Sequence, residues 1–159
     1  MAMLEIGLSP DLITVGDHRL EGGMRALIEL NKSGMQPTAV LCSNDMTAIG
    51  VMRQAYDQNI RVPESLSVVG FDDIRLAEFT TPPLTTVQMS QKELAKIAFR
   101  ALLNEIEGDP PSHERHEYEL TTSLVLRRST ALAPAGGSAP FPKVAGRSRA
   151  RNTSGTLPR

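Results

Sequence analysis

Between Leu12 and Gly70 short apolar runs that read as strands alternate with longer stretches that read as helices, and this alternation narrows the fold more than any other feature. Leu12 to Val15, Thr38 to Cys42 and Ser67 to Gly70 read as extended, whereas Arg19 to Ser33 and Met46 to Gln58 read as helical. A strand feeding a helix and then a further strand is the βαβ unit, which builds a parallel sheet with helices packed on it. The predicted class is α/β with a parallel sheet.

The helices have legible faces and ends. In the first, Leu20, Met24, Leu27 and Ile28 fall on one side, and Gly34 stands where a left-handed residue closes a helix. In the second, Ala48, Ile49, Val51, Met52, Ala55 and Tyr56 spread over roughly 160° at about 100° per residue, wider than one sheet face uses. That surplus calls for a second apolar contact, either a partner subunit or a loop or tail of the same chain. Beyond Pro82 and Pro83 an extended run, Leu84 to Gln88, leads to a helix opened by the capping box Ser90-Gln91-Lys92-Glu93 and closed at Gly108. Leu94, Ile97, Ala98, Ala101, Leu102 and Ile106 form its apolar stripe. A last strand, Tyr118 to Leu126, places Leu120, Leu124 and Leu126 on one face.

Charge divides the chain in two. All 18 acidic residues precede Ala133, while Lys143, Arg147, Arg149, Arg151 and Arg159 follow it. Residues 1–133 are expected to fold as one domain, and residues 134–159, rich in Ala, Gly, Ser, Pro and Arg, read as a disordered basic tail. An acidic body offers no electrostatic footprint for nucleic acid. Met1 to Pro10 lacks the pattern of a signal peptide, and no apolar run is long enough to span a bilayer, so a cytoplasmic protein without a membrane partner is expected. Cys42 is the only cysteine, which excludes an internal disulfide, and its apolar surroundings read as a buried structural thiol.

In an open parallel sheet, ligands gather at the C-terminal ends of the strands. Two such ends are polar here: Ser43-Asn44-Asp45 and Phe71-Asp72-Asp73. Asn44 or Asp45 reads as the N-cap of the following helix, which leaves the other surplus, and Asp72 and Asp73 also suit a turn. Together with the aromatic face of Phe71, these groups make a hydroxyl-binding corner. Catalytic signatures are missing: there is no G-x-S-x-G elbow, no G-x-x-x-x-G-K-[ST] loop and no G-x-G-x-x-G fingerprint after a strand. A protein without catalytic residues or cofactor is expected. His113 and His116 lie in a polar loop with no further ligand cluster, so no metal site is expected. The surviving enzyme alternative is an Mg²⁺ phosphoryl-transfer site on Asp45, Asp72 and Asp73, which lacks a phosphate-gripping loop.

Three segments, Thr38–Gly50 (TAVLCSNDMTAIG), Arg61–Asp73 (RVPESLSVVGFDD) and Thr81–Val87 (TPPLTTV), resemble successive signatures of the LacI/GalR family, and a weaker likeness extends to Leu124–Thr130 (LVLRRST). The resemblance implies a periplasmic-binding-protein-like (type I) sensor of two lobes, preceded by a helix-turn-helix headpiece and a hinge helix. Such a regulator dimerises and changes its hold on operator DNA when a small effector, a sugar or related metabolite, binds between the lobes. By that pattern Asn44 and Asp72 match effector-bonding positions, with Asp45 and Phe71 beside them. Ile49, Phe79 and Thr80 match parts of the dimer interface, and Met52 joins them on the broad arc of the second helix. Where sugar-binding members often place a ligand-facing Gln after the Leu-Thr-Thr-Val strand, this chain carries Met89, which argues against a lactose-like effector.

Matched to the family, the chain begins inside the second lobe, so an incomplete sensor lobe is expected, reaching operator DNA only through a headpiece absent here. The Ser90 to Gly108 helix would belong to the first lobe, and leaving Leu94, Ile97, Leu102 and Ile106 uncovered would forfeit about 1.5 to 3 kcal/mol each. Two alternatives remain open at this point: a fragment of a periplasmic sugar-binding protein of a transporter, or a truncated remnant without function.

Overall fold

The computed structural model describes residues 2–5, 7, 12–32, 34, 36–107 and 117–133. Its elements are α1 (Ala2–Glu5), α2 (Leu20–Lys32), β1 (Ala39–Leu41), α3 (Asp45–Asp57), β2 (Ser67–Phe71), a 3-10 turn (Arg75–Glu78), β3 (Thr85–Met89), α4 (Gln91–Glu107) and β4 (Thr122–Val125). The four strands form one sheet in the order β1-β2-β3-β4. β1, β2 and β3 run parallel, with Leu41 opposite Val69 and Phe71 opposite Val87, while β4 pairs antiparallel to β3. The expected α/β class with a parallel-dominated sheet stands; the reversed β4 is a detail that strand patterning alone does not carry.

Two strand expectations need correction. Leu12 to Val15 is not a strand: it is irregular, Leu12, Ile13 and Val15 are exposed, and among the described residues β1 pairs with β2 alone. Apolar content does not make a strand without a neighbour to take its N–H and C=O groups. The last strand is also shorter than expected, four residues in place of nine, which leaves Leu120 and Leu126 outside it; Leu124 and Leu126 are exposed and Leu120 is half-buried.

The core lies between α3 and one face of the sheet. Val68 and Gly70 alternate inward along β2 and meet Ala48, Val51, Met52 and Ala55 from α3, with Leu27, Leu66 and Leu84 closing the sides. Cys42 is buried there, and desolvation pushes its thiol up to about 12, as fits an inert structural residue. The broad arc of α3 is thus divided: Ala48, Val51, Met52 and Ala55 face the core, Ile49 is half-buried, and Tyr56 is exposed.

The buried side of α2 differs from the expected stripe. Gly22, Gly23, Ala26, Leu27 and Leu30 are buried, whereas Leu20, Met24 and Ile28 are only half-buried, a rotation of roughly 110° at about 100° per residue. Glycine sets this face. A Cβ on Gly23 would strike the carbonyl of Thr47, and one on Gly50 would strike the carbonyl of Leu20, so α2 and α3 cross with their backbones in contact. Periodicity of large side chains cannot register a contact made by their absence.

Gly34 has φ 76, the left-handed conformation expected just past α2. The box opening α4 is half-formed: the Glu93 N–H donates to Ser90 Oγ at 3.3 Å, while the Glu93 carboxylate pairs with Lys96 at 2.8 Å. α4 buries none of its residues; of the four expected to lie uncovered, Leu94, Leu102 and Ile106 are exposed and Ile97 is half-buried. Gly108, His113, His116 and the tail from 134 to 159 lie outside the described residues. Among those described, no helix is long and apolar enough to cross a membrane.

Candidate functional site

The ends of β1 and β2 meet at the N-terminus of α3. Asn44 is the cap, in extended conformation, with its Oδ1 accepting the Thr47 N–H at 2.8 Å. Its Nδ2 donates to the carbonyl of His18 at 3.0 Å, which ties the residues before α2 to the same corner. The choice the sequence left open is therefore settled, and Asp45 is the surplus group. Its carboxylate is fully buried, with Oδ1 accepting the Thr86 hydroxyl at 2.5 Å and Oδ2 accepting the Ile74 N–H at 2.8 Å. Gly70 makes room for it, since a Cβ there would collide with Asp45 Oδ1. Asp45 thereby fastens the first turn of α3 to both β3 and the turn after β2, at a helix end that favours negative charge.

That turn holds the two adjacent carboxylates in different roles. Asp72 has φ 112 and Asp73 φ 52, a left-handed pair in which the Asp72 N–H still reaches Val87 O at 2.9 Å. Asp73 is held on both sides, accepting from Gln88 Nε2 at 2.9 Å and from an Arg127 guanidinium nitrogen at 2.7 Å. Asp72 has no side-chain hydrogen bond to any described residue. Burial raises its carboxyl above the ordinary value of 3.8, the nearby Asp45 charge raises it further, and His18 partly offsets both.

His18 is the residue at this corner that the sequence did not single out. It has φ 59, and its Nδ1 lies 3.2 Å from Ser43 Oγ. Of the four non-glycine residues with positive φ among those described, His18, Asp72 and Asp73 gather here; only Asn59 lies elsewhere. Such conformations cost energy and persist where surrounding structure enforces them, a pattern common at binding sites. Phe71 ends β2 half-buried, on the sheet face it shares with Val87.

Beside the turn lies an open cleft of about 590 Å³, lined by Asp72, Asp73, Ile74, Arg75, Gln88, Met89 and the start of α4. Met89 does face this cleft, and Gln88, directly after Val87, is engaged by Asp73. N–H, hydroxyl, amide and guanidinium donors occupy Asp45 and Asp73, two of the three carboxylates on which the Mg²⁺ alternative rests. Among the described residues no group of three or more His, Cys, Asp or Glu is placed to hold a metal.

The residues expected at a dimer face lie apart from this corner. Phe79 is 67% exposed, and Thr80 donates its hydroxyl to the carbonyls of Ala77 and Pro82 at 3.1 and 2.8 Å, bracing the turn that presents it. Met52, 7% exposed, is largely covered by its own chain and lines a second cleft of about 760 Å³ together with Tyr56, Ile60, Val62 and Pro82.

A parallel-dominated sheet with a capped helix, a strained acidic turn and a cleft at the strand ends defines a periplasmic-binding-protein-like sensor lobe. The family described as periplasmic binding protein-like domain matches residues 2–130. The HTH-type transcriptional regulator MalR of Streptomyces coelicolor is 42% identical over 135 residues, covering 82% of this chain and 38% of MalR. Among solved structures, the lac repressor dimer bound to operator and the anti-inducer ONPF matches with a TM-score of 0.72 at 29% identity, over 82% of this chain and 44% of the repressor chain. The complex of the transcriptional regulator CelR with cellobiose matches with a TM-score of 0.70 at 30% identity, over 80% of this chain and 39% of CelR. The chain belongs to the periplasmic binding protein-like domain family, and LacI-type regulators are among the solved structures it resembles. Its relatives are transcriptional regulators rather than enzymes, and it spans little more than a third of the length of the curated relatives it matches.

Proposed function

We propose that this chain is the effector-sensing and dimer-forming part of a cytoplasmic transcriptional regulator, with residues 1–133 as the partial sensor domain and 134–159 as a basic extension. The effector is a small neutral molecule, a sugar or related metabolite, whose hydroxyls donate to the Asp72 carboxylate. Asn44 and Phe71 border it, and Asp45 acts from behind by fixing the turn. Ile49, Met52, Phe79 and Thr80 contribute to the contact with a second subunit, and operator DNA is read by a headpiece outside this chain. The observation that carries the effector reading is the Asp72 carboxylate, held at positive φ without a side-chain hydrogen bond to any described residue, while Asn44, Asp45 and Asp73 around it are engaged. CelR, which shares this fold, is solved with cellobiose.

A thermal-shift screen of the full chain against neutral mono- and disaccharides and nucleosides tests this. A ligand that binds only the folded state adds about 2.7 kcal/mol of stability at a hundred times its Kd. At least one compound is expected to raise Tm, and the rise should fall to about half or less in Asp72→Asn at the same concentration. A panel without effect, or a rise undiminished by the substitution, contradicts the assignment.

A further inference from the structure

Arg127, in the stretch after β4, reaches back to three places at once. One guanidinium nitrogen donates to the carbonyl of Leu84 at 2.9 Å, where β3 begins. The other donates to Asp73 Oδ1 at 2.7 Å and lies 3.5 Å from Glu78 Oε1. The side chains of Arg127 and Asp73 are 13% and 12% exposed, so this pair is shielded from solvent, whereas that of Glu78 is 61% exposed. A guanidinium is a rigid planar fork, and its two arms cannot move independently. Removing one partner of a shielded pair also leaves the other charge uncompensated, which holds the pair together through small displacements.

Placement gives this clamp its consequence. Asp73 directly follows Asp72, and Glu78 directly precedes Phe79. On its other side the same turn is pinned by the fully buried Asp45, through the Ile74 N–H and the Thr86 hydroxyl. The turn therefore has one stationary edge, at Asp45, and one edge shared with the segment from Arg75 to Thr80.

We propose that Arg127 is a positioning residue that makes the Asp72–Asp73 turn and the Arg75–Thr80 segment shift as one unit, so that occupancy of the corner is felt at Phe79. This rests on the effector and dimer assignments above. Two sites are coupled through an element that both of them bias, and here the Arg127 guanidinium bridges two segments that Ile74 also joins along the chain.

Amide hydrogen exchange on the full chain, read by NMR without ligand, tests the coupling from both ends. Asp73→Asn is expected to speed exchange of the Phe79 N–H, which bonds to Leu76 O, by about tenfold. Glu78→Gln, at an exposed position that tolerates the change, is expected to speed exchange of the Asp72 N–H, which bonds to Val87 O, by about twofold. Arg127→Lys keeps the charge and loses the fork, and should speed both amides together while the Val68 N–H, bonded to Ser129 O in the core, keeps its rate. Changes confined to the end that was mutated would overturn the proposal. Because no ligand is added, such a result would strike the coupling alone, whereas failure of the effector assignment appears in the thermal-shift screen.

Discussion

Replacing Ser129 with alanine lowers the unfolding free energy by about 2 to 6 kcal/mol, at about 1 to 3 kcal/mol for each buried polar group left without a partner. Ser129 is fully buried, its hydroxyl donating to the carbonyl of Val68 at 2.6 Å and accepting the Thr85 N–H at 2.8 Å. Its carbonyl takes the Val68 N–H at 2.8 Å, so the residue joins β2 to β3 where their own ladder has not yet begun. Alanine keeps the backbone bond and orphans the other two groups, which no water can reach at zero exposure. Against a typical net stability of about 5 to 15 kcal/mol, that loss is decisive for a domain whose α4 stripe is already uncovered. Urea unfolding measures it directly; a change below about 1 kcal/mol would mean that the strand ends close without the hydroxyl.

Asp72→Asn should weaken effector binding by about 10- to 100-fold and at the same time stabilise the unliganded chain at neutral pH. The first effect is the loss of hydrogen bonds to a charged acceptor, worth about 1.5 to 3 kcal/mol. The second follows from the direction of its titration. Burial and the Asp45 charge raise the folded-state value above the ordinary 3.8. A raised carboxyl favours the protonated fold, so its stabilising contribution is complete below 3.8 and is lost as pH rises through the folded value. Above that range the ionised carboxylate is a liability that asparagine lacks. Asparagine also tolerates the left-handed backbone that Asp72 adopts, so the substitution isolates the charge. Unfolding of both proteins at acid and neutral pH should show the variant ahead at neutral pH and the difference vanishing in acid. A variant less stable than the parent at neutral pH would assign Asp72 to structure.

These two residues illustrate what the sequence can and cannot convey. Strand and helix positions follow from local periodicity, and β1, α3, β2, β3 and α4 fall where it places them. The failures are contacts that local pattern does not encode. The face of α2 is set by glycines whose significance depends on a second helix, and Leu12 to Val15 lacks the neighbour a strand requires.

The site divides in the same way. Family likeness points to Asn44 and Asp72 as candidates, and the helix start requires Asn44 or Asp45 as a cap. The division of labour between Asp72 and Asp73 was not legible, because it is decided by Arg127, 54 residues away. His18 carried no local signal either: it is a single imidazole ahead of a helix, and only the bond from Asn44 to its carbonyl brings it to the corner.

The central claim, that the Asp72 corner receives the effector, is tested most directly by mapping amide chemical shifts of the full chain as it is titrated with the compound that most raises its Tm. The account predicts shifts concentrated at His18, Ser43, Asn44 and Asp72, appearing only at about 10- to 100-fold higher concentration in Asp72→Asn. Shifts centred instead on Met52, Tyr56 and Pro82, or no shift at the corner at all, would contradict it.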